Sequence, residues 1–283
     1  MARRVRLLLA VAAGLLALGA LGAVPAQAVV GGRPARADEG RWMVALVDRD
    51  SRRRPIDGQF CGGALVGPRT VVTAAHCLVF GGRPLVVRRR VLPTLGRAAD
   101  LAEVAEVVVH PGFRPEFDEE SQLGDPNDLG LVRLKRPLAG PYLRISDATP
   151  DATAWDPGRE LRIFGWGNRS RTGPNLPRQL HTGTIERFTD AACDDRYGRG
   201  FDAETMFCGG RADGAVDTCE GDSGGPVVGL DRAGRDVLVG IVSFGHECGL
   251  AEWPGVYTRV PRYAAWLSSR PQPRARSRER ERD

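Results

Sequence analysis

Short apolar runs alternate with turn-forming residues along most of the chain. "WMVALV" (42–47), "GGALV" (62–66), "TVVTAA" (70–75), "AEVVV" (105–109), "LGLVRL" (129–134), "LVGIVSF" (238–244) and "GVYTRV" (255–260) are mostly bounded by Gly, Pro, Asp or Asn. Runs this short and this punctuated predict many β-strands joined by turns. One helix is predicted after Pro261, where Tyr263, Ala264 and Leu267 share a face of "RYAAWLSS", with Trp266 at its edge. No segment repeats at a fixed period. The pattern describes an all-β protein.

The two ends break the pattern. Arg3, Arg4 and Arg6 precede an apolar run from Leu7 to Ala23, and Ala26-Gln27-Ala28 fits the small-x-small site of a signal peptidase. Residues 1–28 are therefore expected to be a signal peptide on a secreted, extracellular protein. The alternative is an uncleaved membrane anchor. Gly14, Gly19, Gly22 and Pro25 weaken such a helix, and the run is shorter than the roughly 20 residues that cross a bilayer. Arg3-Arg4 stands without the rest of a twin-arginine motif. At the other end, residues 270–283 ("RPQPRARSRERERD") are too charged to bury and are expected to be disordered. Residues 29–269 remain as the folded domain, long enough for one large unit or two fused barrels.

Charge adds little. The formal net charge is +5, but Arg3, Arg4 and Arg6 and the arginine-rich tail supply most of the excess. The core is near neutral, and no basic stripe with interleaved aromatics argues for nucleic acid. Arg88-Arg89-Arg90 reads as a solvated strand or loop. Cysteine is more informative: Cys61, Cys77, Cys193, Cys208, Cys219 and Cys248 are an even set in an exported chain, which points to three disulfides. No C-x-x-C pair suggests zinc, and six thiols leave 15 connectivities open.

Three segments carry candidate chemistry. His76 lies in "TAAHC", Asp128 heads the run in "NDLGLVRL" (127–134), and Ser223 lies in "DTCEGDSGGP" (217–226). Alone, each has a bland reading as a buried histidine, a cap or a turn. Together with "VVGG" (29–32), "CGGALV", "FGWG" (164–167), "IVSFG" (241–245) and "PGVYTRV" (254–260), they make the chain resemble the trypsin/chymotrypsin family of serine proteases from Val29 to about Leu267.

That resemblance implies two antiparallel six-stranded β-barrels with a short C-terminal helix and an active site in the cleft between them. It implies a His76, Asp128, Ser223 triad and an oxyanion hole from the backbone N–H groups of Gly221 and Ser223. Ser243 would support the aspartate. Asp217, with Gly245 and Gly255 as walls, would make a pocket for Arg or Lys; the competing reading of Asp217 is a turn cap in an apolar pocket. The implied disulfides are Cys61–Cys77, Cys193–Cys208 and Cys219–Cys248. Neither metal nor cofactor is expected, and calcium-binding acids have no obvious counterpart between Pro84 and Glu103. The expected partners are protein or peptide substrates with Arg or Lys before the cut, and protein inhibitors; the protein is expected to be a monomer. The rival reading is a catalytically dead binding protein on the same fold.

Departures from the family pattern are local. Phe244 replaces the usual tryptophan and Gly130 the usual alanine. His246 and Glu247 add bulk and charge at the pocket rim, and Glu220 adjoins the oxyanion glycine. His110, His181 and His246 match no motif and are expected to be structural or exposed. The stretch after His110, "PGFRPEFDEESQLGDPN", carries Glu116, Asp118, Glu119, Glu120 and Asp125; it is either solvated surface or a selector of basic residues upstream of the cut. The junction "AQAVVGG" (26–32) concerns activation. In resembling enzymes the acid at Asp222 pairs with the α-amino group of the first mature residue. Here Ala28 completes the signal-peptidase pattern, so export itself would free Val29. A cut after Ala23 would instead leave a short propeptide.

Overall fold

The computed structural model describes residues 29–48, 58–81, 85–88, 101–114, 126–146, 153–168, 177 and 179–269. The leader, the tail and most of the acidic stretch, 115–125, lie outside the described residues.

Two sets of antiparallel strands dominate. After a two-residue strand β1 (Arg33–Pro34), the first set comprises β2 (Met43–Asp48), β3 (Gln59–Gly67), β4 (Thr70–Thr73), β5 (Leu85–Arg88), β6 (Leu101–Val109) and β7 (Gly130–Leu134). They close into a barrel in the order β2-β3-β4-β7-β6-β5. After the short strand β8 (Arg144–Ile145), the second set comprises β9 (Glu160–Gly165), β10 (His181–Arg187), β11 (Met206–Gly210), β12 (Pro226–Leu230), β13 (Asp236–Phe244) and β14 (Gly255–Arg259). Their order is β10-β11-β14-β13-β12-β9, and β9 also pairs with β10, so the pairing runs round a ring of six. Each strand of such a ring finds two neighbours, which removes the exposed edges that invite aggregation.

Every apolar run named from the sequence lies on one of these strands, and the helix after Pro261 is present as Val260–Tyr263 (3₁₀) and Ala264–Ser268 (α). Two further helices were not predicted. One is a single turn, Ala75–Val79; the other is Asp190–Tyr197. The second has no apolar stripe. Thr189 caps it by accepting from the Ala192 N–H at 3.2 Å, and buried Cys193 bonds it to Cys208 on β11. Its stability comes from a cap and a disulfide, which a hydrophobic pattern does not record.

One apolar cluster extends from the first barrel into the second. Trp42 beside β2 meets Phe164 on β9 edge to face at 5.0 Å, and both are buried. Side chains of this size contribute roughly 3–5 kcal/mol each when buried, so their truncation would loosen the contact between barrels. Close backbone contact continues toward the cleft, where the Gly62 N–H on β3 donates to the Ser223 carbonyl at 2.7 Å.

Candidate active site

The first barrel supplies two of the candidate residues. His76 sits in the helical turn Ala75–Val79 that follows β4, and Asp128 sits two residues before β7. The Asp128 carboxylate grips the histidine twice: Oδ2 lies 2.7 Å from the ring Nδ1, and Oδ1 accepts from the His76 backbone N–H at 2.9 Å. A proton held at Nδ1 makes Nε2 the basic nitrogen of the ring.

The second barrel secures the aspartate from behind. Ser243 donates its hydroxyl to Asp128 Oδ2 at 2.6 Å, and Thr258 donates to the Asp128 carbonyl at 2.7 Å. Ser243 reaches because the register of β13 against β14 slips between Val242 and Phe244, and such a bulge re-aims a side chain. Asp128 is 1% exposed, so it is desolvated and wholly dependent on these donors.

Ser223 lies in the loop between Gly221 and Pro226 that enters β12. This loop folds against the histidine turn. A Cβ on Gly224 would stand 2.3 Å from Thr73 Oγ1 and 3.1 Å from the Cys77 sulfur, so only glycine permits the approach. Residue 224 thus lies against residue 77, one position beyond each candidate side chain, which brings the serine loop and the His76 turn together. Gly221 has φ +90°, a conformation costly for other residues.

A cavity of about 580 Å³ opens beside Ser223 and is walled by Asp217, Ser243, Phe244, Gly245, His246 and Gly255, among others. A Cβ on Gly255 would come within 2.9 Å of Asp217 Oδ1, so a bare wall keeps the carboxylate accessible. Asp217 is 4% exposed. Its carboxylate accepts backbone N–H groups from Thr218 and Gly249, each at 2.8 Å, but burial outweighs them and raises its pKa to about 6. Phe244, in the usual place of a tryptophan, is half-buried against Tyr197 at 5.8 Å.

Beneath the serine loop, Asp222 is fully buried and burial pushes its carboxyl up to about 7, against donation from the Gly167 and Cys219 N–H groups. Val29 is fully buried in the core of the second barrel. Its neighbour Val30 pairs with Asp217, whose N–H donates to the Val30 carbonyl at 3.1 Å.

The cysteines are joined as Cys61–Cys77, Cys193–Cys208 and Cys219–Cys248. The first closes on the histidine turn, and the third ties the serine loop to the cavity wall. Cys61, His76 and Cys77 are the one group of potential metal donors clustered among the described residues, and the disulfide consumes both sulfurs. His181 is buried with Nδ1 2.9 Å from the Gln179 carbonyl, His110 packs between Tyr263 and Trp266, and His246 is exposed beside Trp253.

Two residues of the site went unremarked in the sequence. Thr258 was hidden inside an apolar strand run. Asn168 follows "FGWG" directly, and its position after that motif was the available signal.

The trypsin family model matches residues 29–267. A trypsin of Saccharopolyspora erythraea is 34% identical over 239 residues, covering 83% of this chain and 94% of that protein. A trypsin-like protease of Streptomyces glaucescens is 33% identical, covering 90% and 89%. The structure of neuropsin, a serine protease of mouse brain, superposes with a TM-score of 0.69 at 29% identity over 85% of this chain and 99% of that one. Family match, relatives and cleft geometry agree: the chain belongs to the trypsin family and is a trypsin-like serine protease.

Proposed function

We propose that this enzyme is a secreted endopeptidase that cuts after Arg or Lys. The observation that carries the reading is Asp217, a buried carboxylate walled by glycine at the side of a cavity open to Ser223. No ion pair involves it among the described residues. Burial raises its pKa only to about 6, so at neutral pH it is ionised. A desolvated, ionised carboxylate gains most from an incoming cation, and a guanidinium can meet it with paired charge-assisted hydrogen bonds.

In the proposed mechanism, Ser223 Oγ attacks the scissile carbonyl while His76 Nε2 takes its proton. The Gly221 and Ser223 N–H groups hold the resulting oxyanion, a role worth about 2.7–4 kcal/mol per donor. The imidazolium, steadied by Asp128, then protonates the leaving amine, and the C–N bond breaks to give an acyl-enzyme. Water, deprotonated by the same histidine, attacks the ester and releases the acid and free serine. Asp128 holds the tautomer and keeps its own charge throughout.

Activation follows from Asp222. A buried carboxylate is costly without a counter-charge, and a freed α-ammonium on Val29 would supply one. Cleavage after Ala28 would therefore release the signal peptide and complete the site in one step.

Asp217→Ala is the test. Turnover of Arg peptides should fall by orders of magnitude while Ser223 still reacts with an organophosphonate. A variant that still prefers Arg would overturn the assignment of the pocket.

A further inference from the structure

The peptide that joins Glu220 to Gly221 is gripped from outside. The Asn168 N–H donates to the Glu220 carbonyl at 2.7 Å, and the Asn168 side-chain amide donates to Glu220 Oε2 at 3.0 Å. The preceding residue belongs to the same brace, since the Gly167 N–H donates to Asp222 Oδ1 at 2.7 Å. Segment 167–168 therefore holds the serine loop at residues 220 and 222, on both sides of Gly221.

A trans peptide is planar, with its C=O and N–H pointing in opposite directions. Fixing the Glu220 carbonyl toward Asn168 therefore fixes the Gly221 N–H away from Asn168. The loop has reason to need this. With φ +90° at residue 221 and no side chain there, the peptide on its N-terminal side meets little steric resistance to rotation. On the far side, Gln59 Nε2 reaches the Gly221 carbonyl only at 3.4 Å, a long contact. The Asn168 bonds are the short ones.

We propose that Asn168 is a positioning residue for the oxyanion donor: its backbone N–H orients the Glu220–Gly221 peptide, and its side-chain bond to Glu220 Oε2 holds residue 220 in place for that bond, which keeps the Gly221 N–H aimed at the reacting carbonyl. The inference rests on Gly221 serving the oxyanion, as proposed above. Asn168 and Glu220 line the rim of the same cavity, but neither pairs with Asp217 at its side. Loss of Asn168 should thus weaken stabilisation of the tetrahedral state and leave recognition of the cation unchanged.

The experiment compares the enzyme with its Asn168→Ala, Glu220→Ala and double variants, using an Arg-amide peptide, a peptidyl boronate and benzamidine. The boronate forms a tetrahedral adduct on serine; benzamidine places only a cation in the pocket. Loss of a whole oxyanion donor costs about 10²–10³ in rate, and partial disorder of one donor should cost about three- to tenfold. Each single variant is expected to lose that factor in kcat and in boronate affinity, with affinity for benzamidine, which reads the cation pocket alone, unchanged. The double variant should be no worse than either single one, since both remove one contact. Glu220→Gln, which keeps an acceptor oxygen, should retain more of the rate than Glu220→Ala. Unchanged boronate affinity in Asn168→Ala, or equal losses for boronate and benzamidine, would overturn the proposal. If the unmodified enzyme ignores the Arg peptide yet cleaves another, the reading of Asp217 fails instead, and the boronate matched to that peptide decides the role of Asn168.

Discussion

Asp128 shows how much one side chain of this site depends on others far away in sequence. Its carboxylate takes bonds from His76 in the first barrel and Ser243 in the second, and its carbonyl takes one from Thr258. Gly130, two residues on, is a departure from the family pattern with a local cause. A methyl there would stand 2.5 Å from Leu78 Cδ1, so the leucine beside the disulfide occupies the space an alanine would need. Leu78 is buried, and the Val108 carbonyl would lie 3.2 Å from the same methyl, so the leucine would have to shift within a packed core. Gly130→Ala should therefore cost about 1–3 kcal/mol by overpacking. Adding Leu78→Val should recover part of that in thermal unfolding. A Gly130→Ala protein as stable as its parent would show that the core there is looser than its packing implies. At this scale the sequence exposed what motifs carry and hid what folding alone brings together. His76, Asp128, Ser223 and Asp217 stand in recognisable strings, whereas Asn168 and Thr258 bond partners 52 and 130 positions away.

The N-terminal segment is the element on which the proposed activation turns. It is strapped to the second barrel where β1 pairs with β10, and Glu39 braces it by accepting from both Arg33 guanidinium nitrogens at 2.7 and 2.8 Å. The Arg33 bonds hold the Glu39 carboxyl at about 2, so this brace is intact across the working pH range. The pairing of a Val29 ammonium with Asp222 would behave differently. An α-amino group titrates near 7.7–8.0 when free, and pairing raises it. Its stabilising contribution is full below that free value and is lost as pH rises through the higher folded one. Activity should accordingly fall on an alkaline limb, and chemical acetylation of Val29 should abolish it at neutral pH. Activity that survives acetylation would contradict the pairing. Among the other elements, apolar runs announced β2, β3, β4, β6, β7, β13 and β14, whereas β5, β9, β10, β11 and β12 were not named, and β10 shows why. Its sequence "HTGTIER" buries His181, Thr182 and Arg187. Arg187 is compensated inside in part: it bonds Asp190 at 2.7 Å and lies over Trp155, while its Nε and Nη1 find no hydrogen-bond partner among the described residues, and a local pattern displays neither.

On the proposed mechanism, the whole molecule divides its chemistry between its halves. The first barrel holds His76 and Asp128; the second holds Ser223, Asp217 and Asp222. On the proposed mechanism neither half has a site alone, so the contact of Trp42 with Phe164 and the bond from Gly62 to Ser223 are as necessary to it as the proposed triad. This division was legible only through family resemblance, because strand patterns do not say how two barrels dock. The most direct test of the account takes the purified chain beginning at Val29, with no activating protease added, and offers it matched Arg-amide and Phe-amide peptides. The account predicts fast cleavage after Arg alone. Cleavage favouring Phe would contradict the role of Asp217, and silence toward both would contradict activation by release of Val29.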